Sequence, residues 1–224
     1  MQLSFLANNR LFLEPKGNRG LNYITGSSII SKGIVLKNGQ QLFENKATDT
    51  SAFLLSVYQH FDLNYPKFYK MDNLSKLGWL ASEVLLNVTF KKEDYRPEEI
   101  GLVLANRNSS LDNDLKYFDS IKDGASPSLF VYTLPNIVIG EICIRNNFKG
   151  EHAFYIQDDF DAGFIETQVN YLLENDILRA CICGWVDILG DGYKAALFLI
   201  EKQNRSNAVP FSADNMQITF DQLT

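Results

Sequence analysis

The chain has 224 residues and a mass of 25.4 kDa, enough for one α/β domain or two small ones. Apolar residues make up 46% and aromatic residues 12%, which excludes a disordered, collagen-like or disulfide-dominated chain. With 21 Lys and Arg against 27 Asp and Glu, the formal net charge is -6. This balance argues against a large phosphate-binding face, so we expect no nucleic-acid partner.

The cysteines and the apolar stretches indicate the compartment. Cys143, Cys181 and Cys183 fit no zinc-ligand spacing and leave an odd thiol, which favours a reducing cytoplasm with no metal and no cofactor. No apolar stretch approaches the roughly 20 residues of a membrane helix. Residues 1–10 lack the pattern of a signal peptide. Without a linker or a repeat, we expect one cytoplasmic domain over residues 1–224 that makes no membrane contact.

Strand patterns recur along the chain. Asn38 and Gly39 separate two short apolar runs and accept the two positive φ angles of a type I′ turn, which predicts a β-hairpin. The other runs are β-branched or fully apolar, as in buried strands. The predicted strands are residues 21–30, 34–37, 40–43, 100–105, 152–156, 180–185 and 193–200.

Helical patterns lie between these strands. Residues 70–86 have apolar side chains at helical spacing, with Asp72 placed to cap the helix. Residues 160–175 are apolar on one side and polar on the other. Residues 128–145 are apolar on nearly every side, so a helix there must be covered on more than one face. Alternating strands and helices predict an α/β fold with helices on both faces of a mainly parallel sheet.

Five segments carry a further pattern. They are the lysine-rich helix entry at 65–77, the apolar strand and loop at 100–106, the Ser-Pro segment leading to an Asn at 126–136, and the strands at 180–187 and 195–201. In order and spacing they resemble the N-terminal half of the β-ketoacyl synthases, condensing enzymes of the thiolase superfamily. The resemblance implies half of a thiolase-like fold, with a mixed, mostly parallel five-stranded sheet and helices on both faces.

The resemblance also shows where the chain departs from an active ketosynthase. The position of the family's nucleophilic Cys falls on Asp159. A carboxylate is a poor acceptor and donor of acyl chains, whereas a thiolate at a helix N-terminus is a strong nucleophile. The family's two active-site histidines belong to its C-terminal half, and neither His60 nor His152 matches them. The resemblance therefore implies no catalytic residue.

A non-catalytic member of this kind resembles the chain-length factors, which pair with an active ketosynthase in type II fatty-acid or polyketide assembly. The implied setting is aryl-polyene or flexirubin-type biosynthesis. In such pairs the inactive subunit closes the end of the acyl channel, and bulky side chains there limit product length. The matching positions are Asn106, Asn108, Phe130, Tyr132, Thr133, Leu134 and Asn136, together with the loop 106–114.

Partners follow from the same comparison. Because residues 128–145 are apolar on nearly every side and must be buried on more than one face, we expect a dimer through them. The partner would be a ketosynthase or a second copy of the chain. The acidic balance makes this chain a poor dock for acidic acyl carrier proteins, so contact with a carrier protein would be indirect.

The acidic residues at the start of the helix 160–175 leave alternatives open. Asp158 or Asp159 could cap the helix, contribute to a divalent-cation site or act in acid–base chemistry. Under the last interpretation the chain is an acyl-processing enzyme, a 3-oxoacyl synthase-type transferase, decarboxylase or hydrolase. It would use Asp158 and Asp159, or a composite site completed by another chain.

Overall fold

A computed structural model of the chain describes residues 21–46, 49–87 and 90–223. Residues 1–20, on which the expectation about a signal peptide rests, lie outside the described residues. The strands are β1 (Tyr23–Ser31), β2 (Ile34–Lys37), β3 (Gln40–Glu44), β4 (Ile100–Asn106), β5 (His152–Ile156), β6 (Ala180–Leu189), β7 (Gly192–Glu201) and β8 (Val209–Pro210). The α-helices are α1 (Thr50–His60), α2 (Asn73–Leu86), α3 (Leu111–Ser120), α4 (Pro127–Val131), α5 (Ile137–Asn146), α6 (Ala162–Glu174) and α7 (Ala213–Phe220). Short 3-10 helices span Pro66–Lys70, Lys92–Asp94, Pro97–Glu99 and Ile121–Asp123.

The described strands form one mixed sheet of eight strands. Its order is β3-β2-β1-β7-β6-β4-β5, with β8 paired to β1 outside this path. β4 pairs in parallel with β5 and β6, and the other pairings are antiparallel. The five adjacent strands β1, β7, β6, β4 and β5 therefore have the predicted mixed pattern, since only β7 runs against the other four. The strand count differs from the predicted five because β2, β3 and β8 extend this centre.

Side chains of the sheet alternate between two cores, one on each face. On β4, Ile100, Leu102 and Leu104 pack with α1, α2 and α5, whereas Val103 and Ala105 pack with α6 and α7. All seven residues of β4 are buried. The prediction of helices on both faces is confirmed.

Two local predictions are confirmed in detail. Asn38 and Gly39 have φ angles of 50° and 76°, as the type I′ turn between β2 and β3 requires. Asp72 precedes α2, and its Oδ1 accepts a hydrogen bond of 3.0 Å from the backbone N–H of Ser75. This turn and this cap are both decided by neighbouring residues, which is why the sequence alone was sufficient for them.

Two other expectations were wrong. β5 was predicted as a buried strand, but among the described strands it pairs with β4 alone, and both His152 and Ile156 are exposed. The cap of α6 is Asp161, whose Oδ1 accepts a 2.8 Å hydrogen bond from the backbone N–H of Phe164, and not Asp158 or Asp159.

Residues 128–145 are two helices rather than one. α4 ends at Val131 and α5 begins at Ile137, and Pro135 between them has no backbone N–H to continue a helix. α5 buries Val138, Ile139 and Ile142 in the core that it forms with α1, α2 and the sheet. None of the five residues of α4 is buried. The apolar character of α4 is therefore turned outward.

Candidate functional site

The carboxyl ends of the parallel strands β4, β5 and β6 meet at one edge of the sheet. β4 ends at Asn106, β5 continues into the loop 157–161, and β6 runs through Asp187. The backbone N–H of Gln157 donates a 2.9 Å hydrogen bond to the carbonyl of Asn106, which joins the first two ends. In open α/β sheets this edge is the usual place for a ligand site.

Asn106 and Asp187 fix the loop that leads from β4 to α3. The Asn106 side chain is fully buried, donates to the Ser109 carbonyl at 2.8 Å and accepts from the Ser109 N–H at 3.0 Å. Asp187 accepts from the backbone N–H groups of Arg107 (3.1 Å) and Asn108 (2.9 Å), and from the Asn108 side chain (2.8 Å). Asn106 and Asn108 thus shape the loop and are not free polar groups.

Asp159 lies in the loop between β5 and α6. Its side chain is 86% exposed, and its Oδ1 is 3.6 Å from Arg107 Nη2, a surface ion pair that adds little stability. The loop 157–161 offers no thiol, hydroxyl or amine, and its carboxylates are poor acceptors of acyl chains compared with a thiolate. The loop lines a cavity of about 550 Å³, together with Ala162, Gly163, Ala213, Asp214 and Gln217.

The histidines lie away from this edge. His60 ends α1 and packs against the rings of Phe43 and Phe61, at centroid distances of 4.4 and 4.9 Å. His152 is exposed at the start of β5, the opposite end of that strand from Asp159. Among the described residues, no group of three or more His, Cys, Asp or Glu is arranged to hold a metal ion.

Within the same ranges, no helix has the length and apolar character that crossing a bilayer requires.

The cysteines are buried to different extents. Cys181 and Cys183 are fully buried on one face of β6, and burial raises the pKa of both thiols. Cys143 is partly buried in α5, and burial raises its pKa to about 11. Such thiols are protonated at neutral pH and poor nucleophiles.

We expect the native protein to react slowly with a thiol reagent at pH 8. The unfolded chain should react at all three cysteines, because an unperturbed thiol has a pKa of about 8.5. Mass spectrometry of iodoacetamide-treated protein, with and without urea, measures the difference. Rapid native labelling of Cys181 or Cys183 would show that β6 is not a central strand.

The predicted dimer-facing positions divide into exposed and buried ones. Phe130 and Leu134 are 59% and 57% exposed. Tyr132 is buried, and the Thr133 hydroxyl donates to the Phe130 carbonyl at 2.8 Å. Asn136 is exposed and precedes α5 as its N-cap residue.

Exposed apolar side chains also lie on α3, which touches α4. The Tyr117 and Phe130 rings are 5.5 Å apart, and the Asn113 side chain donates to the Leu129 carbonyl at 2.8 Å. We call the exposed apolar set of these two elements and their adjoining turns the α3–α4 apolar face. It consists of the side chains of this set that are at least half exposed, which are Leu115, Phe118, Ile121, Phe130, Val131 and Leu134. Exposed apolar area on adjoining elements is typical of interaction surfaces.

The sequence reasoning missed part of this site. The spacing of Leu111, Leu115 and Phe118 is helical and could have indicated that α3 is amphipathic. Glu141, a single carboxylate in an apolar run, was a signal for a buried ion pair, and Lys67 proves to be its partner at 2.8 Å.

The sheet order, the helices on both faces and the loop from β5 into α6 define an α/β sandwich with its candidate site at the strand ends. Solved structures that share this fold include ketosynthases and chain length factors. The ishigamide ketosynthase/chain length factor superposes with a TM-score of 0.59 at 16% identity, over 85% of this chain and 64% of that chain. The complex of ketosynthase ApeO with its chain length factor ApeC from Xenorhabdus doucetiae gives a TM-score of 0.55 at 13% identity. That match covers 89% of this chain and 90% of that chain.

A third structure is the AntDE:AntF complex of a type II polyketide-synthase acyl-carrier protein with its ketosynthase. It gives a TM-score of 0.56 at 14% identity. The match covers 82% of this chain and 63% of that chain. This chain therefore spans less than two thirds of the matched chain in two of the three structures. No protein-family model and no curated protein matches the sequence. The structural matches establish the predicted ketosynthase-like fold.

Proposed function

We propose that this chain is a non-catalytic, ketosynthase-like subunit that pairs with an active ketosynthase, in the manner of a chain length factor. The observation that carries the proposal is the loop between β5 and α6. On a ketosynthase fold, it presents the solvated carboxylate of Asp159 where the resemblance places a nucleophilic thiol. A solvated carboxylate, here in a surface ion pair with Arg107, is a poor acceptor of acyl chains compared with a thiolate.

The surfaces left uncovered support a partner. Among the described strands β5 pairs with β4 alone, and we infer that the other side of its backbone is open to another chain. The α3–α4 apolar face exposes Phe118 and Phe130, aromatic side chains of the type that anchor protein interfaces. A ketosynthase that covered both surfaces would remove apolar area from water and complete the hydrogen bonds of the edge strand.

Within such a pair, the side chains on α4 and on the loop after β4 would act by shape. Phe130 and Leu134 project from the subunit and would limit the room for a growing chain. Tyr132, Thr133 and Asn136 would set the course of the α4–α5 connection. Asn106 and Asn108 would hold the loop beside it.

The wider setting rests on the same resemblance. The pair would make an aryl-polyene or flexirubin-type product in the cytoplasm, with the chain acting as a single domain over residues 1–224. The acyl carrier protein would dock on the ketosynthase, because this chain carries a formal charge of -6.

Reconstitution tests the function. A complete ketosynthase encoded by a neighbouring gene is combined with malonyl- and acyl-carrier protein, with or without this chain, and the products are measured by mass spectrometry. We expect elongation, or a defined product length, only when this chain is present. Identical products in both reactions would contradict the proposal.

The Asp159→Ala variant separates the subunit from an enzyme. Because Asp159 is solvated and has only Arg107 as an ion-pair partner within 4.0 Å in the described structure, we expect the variant to support the same products as the wild type. Loss of turnover would instead favour acid–base chemistry by the chain itself.

A further inference from the structure

Helix α4 presents apolar side chains but has little packing of its own. None of its five residues is buried, and Phe130 and Val131 are 59% and 51% exposed. A helix this short is not stable by itself in water. Its position must therefore come from tertiary contacts at its ends.

Hydrogen bonds at the C-terminal end of α4 supply such contacts. The Asn113 side chain donates to the Leu129 carbonyl at 2.8 Å, and the Ser110 hydroxyl donates to the Thr133 carbonyl at 2.8 Å. Both donors belong to the start of α3. These bonds tie α4 to a neighbouring helix that is itself largely exposed.

A third contact ties α4 to the core. The Tyr132 hydroxyl donates a 3.1 Å hydrogen bond to Oε1 of Glu141, on the first turns of α5. Oε2 of the same carboxylate lies 2.8 Å from Nζ of Lys67, on the 3-10 helix that precedes α2. The Glu141 side chain is only 4% exposed, so both partners compensate a charge that is removed from water.

The environment keeps the Tyr132 hydroxyl protonated. Burial, followed by the negative charge and the hydrogen bond of Glu141, raises the pKa of Tyr132 above its ordinary value. The phenol is therefore a hydrogen-bond donor across the physiological pH range. A neutral donor to a buried carboxylate makes a stronger and better oriented bond than one between neutral groups.

We propose that Tyr132, Glu141 and Lys67 form a latch that holds α4 in the orientation in which Phe130 and Leu134 meet the partner subunit. Tyr132 is a positioning residue: it lies at the C-terminal end of α4, and its buried ring and hydroxyl connect the exposed helix to α5 and to the 3-10 helix Pro66–Lys70. The docking half of this inference rests on the proposed function. The other half, that these three side chains hold α4 in place, is independent of the proposed function.

Tyr132→Phe tests the latch, because it removes only the hydroxyl. We expect backbone amides of residues 130–133, which bond within α4 and its C-terminal turn, to exchange with deuterium about tenfold faster. Affinity for the ketosynthase, measured by calorimetry, should fall about tenfold, the equivalent of one hydrogen bond to a charged group. Glu141→Gln, which keeps an acceptor for Tyr132 but loses the charge pair with Lys67, should give a smaller change in exchange.

Tyr95→Phe is the matched control. The Tyr95 hydroxyl also donates to a buried carboxylate, that of Glu201, which is paired with Arg205, but this group lies at the opposite end of the sheet. A general loss of stability should appear in both variants, whereas faster exchange in α4 and weaker binding should appear only in Tyr132→Phe.

The outcomes separate the two proposals. Unchanged exchange in residues 130–133 of Tyr132→Phe would overturn the latch, whatever the affinity. If the wild type does not bind the ketosynthase, the proposed function and the docking role fail, and exchange alone decides whether α4 is held by Tyr132. Equal losses of affinity in Tyr95→Phe and Tyr132→Phe would reduce Tyr132 to a residue of general stability and overturn its positioning role.

Discussion

Phe130→Asp is expected to abolish the complex with the ketosynthase while the isolated chain stays folded. Phe130 is 59% exposed on a helix that buries no residue, so the variant loses one ring contact, with Tyr117, and little else in the free chain. In the complex, an aromatic anchor is replaced by a carboxylate without a partner. Both the lost anchor and the desolvated charge weaken binding, by more than about 100-fold together.

Ile218→Asp is the control for this variant. Ile218 is 67% exposed on α7, which packs with α6 on the other face of the sheet from α5. The Ile218→Asp variant places the same charge at an apolar position of similar exposure, so general effects on solubility or stability are matched. Size-exclusion chromatography and calorimetry with the ketosynthase should show an intact complex for Ile218→Asp and none for Phe130→Asp. Equal binding of both variants would exclude the α3–α4 apolar face from the interface.

The strands and their two faces could be predicted because their signals are local. The alternation along β4 assigns each side chain to one core, and the turn between β2 and β3 is specified by Asn38 and Gly39 alone. The cap of α2 by Asp72 has the same local origin. These elements required no knowledge of what lies across the sheet.

The features that were missed depend on backbone geometry or on segments distant in the chain. Nothing in the composition of β5 shows that, within the part of the chain that the structure describes, it pairs on one side, and that pairing decides its exposure. Asp158, Asp159 and Asp161 are equivalent caps by residue type, and the extended backbone at Asp161 (φ -101°, ψ 92°) selects among them. The partner of Glu141 lies on another element, so the pattern of α5 could not identify Lys67.

The candidate site was predicted as a set of positions but not as a surface. The resemblance selected Phe130 and Tyr132 together, and the structure gives them opposite roles, one exposed and one buried. Residues two apart on a short helix and its turn point in different directions, which only the placement of α4 against α3 and α5 resolves. The contribution of α3 to the apolar face came from the structure alone.

Gly184→Ala is expected to destabilise the protein by more than about 4 kcal/mol, the range reserved for severe core damage. Gly184 lies in the middle of β6 with a φ angle of 139°, which side chains of L-residues rarely permit. A β-carbon there would lie 2.0 Å from the backbone oxygen of Ala196 on β7. That oxygen belongs to a central strand and cannot move aside without breaking the pairing of β6 with β7.

Gly140→Ala is the matched substitution. A β-carbon at Gly140 would meet no atom within 4 Å, and the residue lies inside α5, where alanine is favoured over glycine by up to ~1 kcal/mol. Urea unfolding followed by circular dichroism measures both variants, and the soluble fraction on expression serves if Gly184→Ala does not fold. We expect opposite signs for the two changes in the free energy of unfolding.

The effect at Gly184 should extend to the candidate site. β6 continues to Asp187, whose carboxylate holds the backbone of Arg107 and Asn108, so a displaced β6 releases the loop between β4 and α3. That loop leads directly into α3, one side of the apolar face. A Gly184→Ala protein with unfolding energy within ~1 kcal/mol of the wild type would show that β6 and β7 do not have this register, and the anchoring of the loop by Asp187 would fail with it.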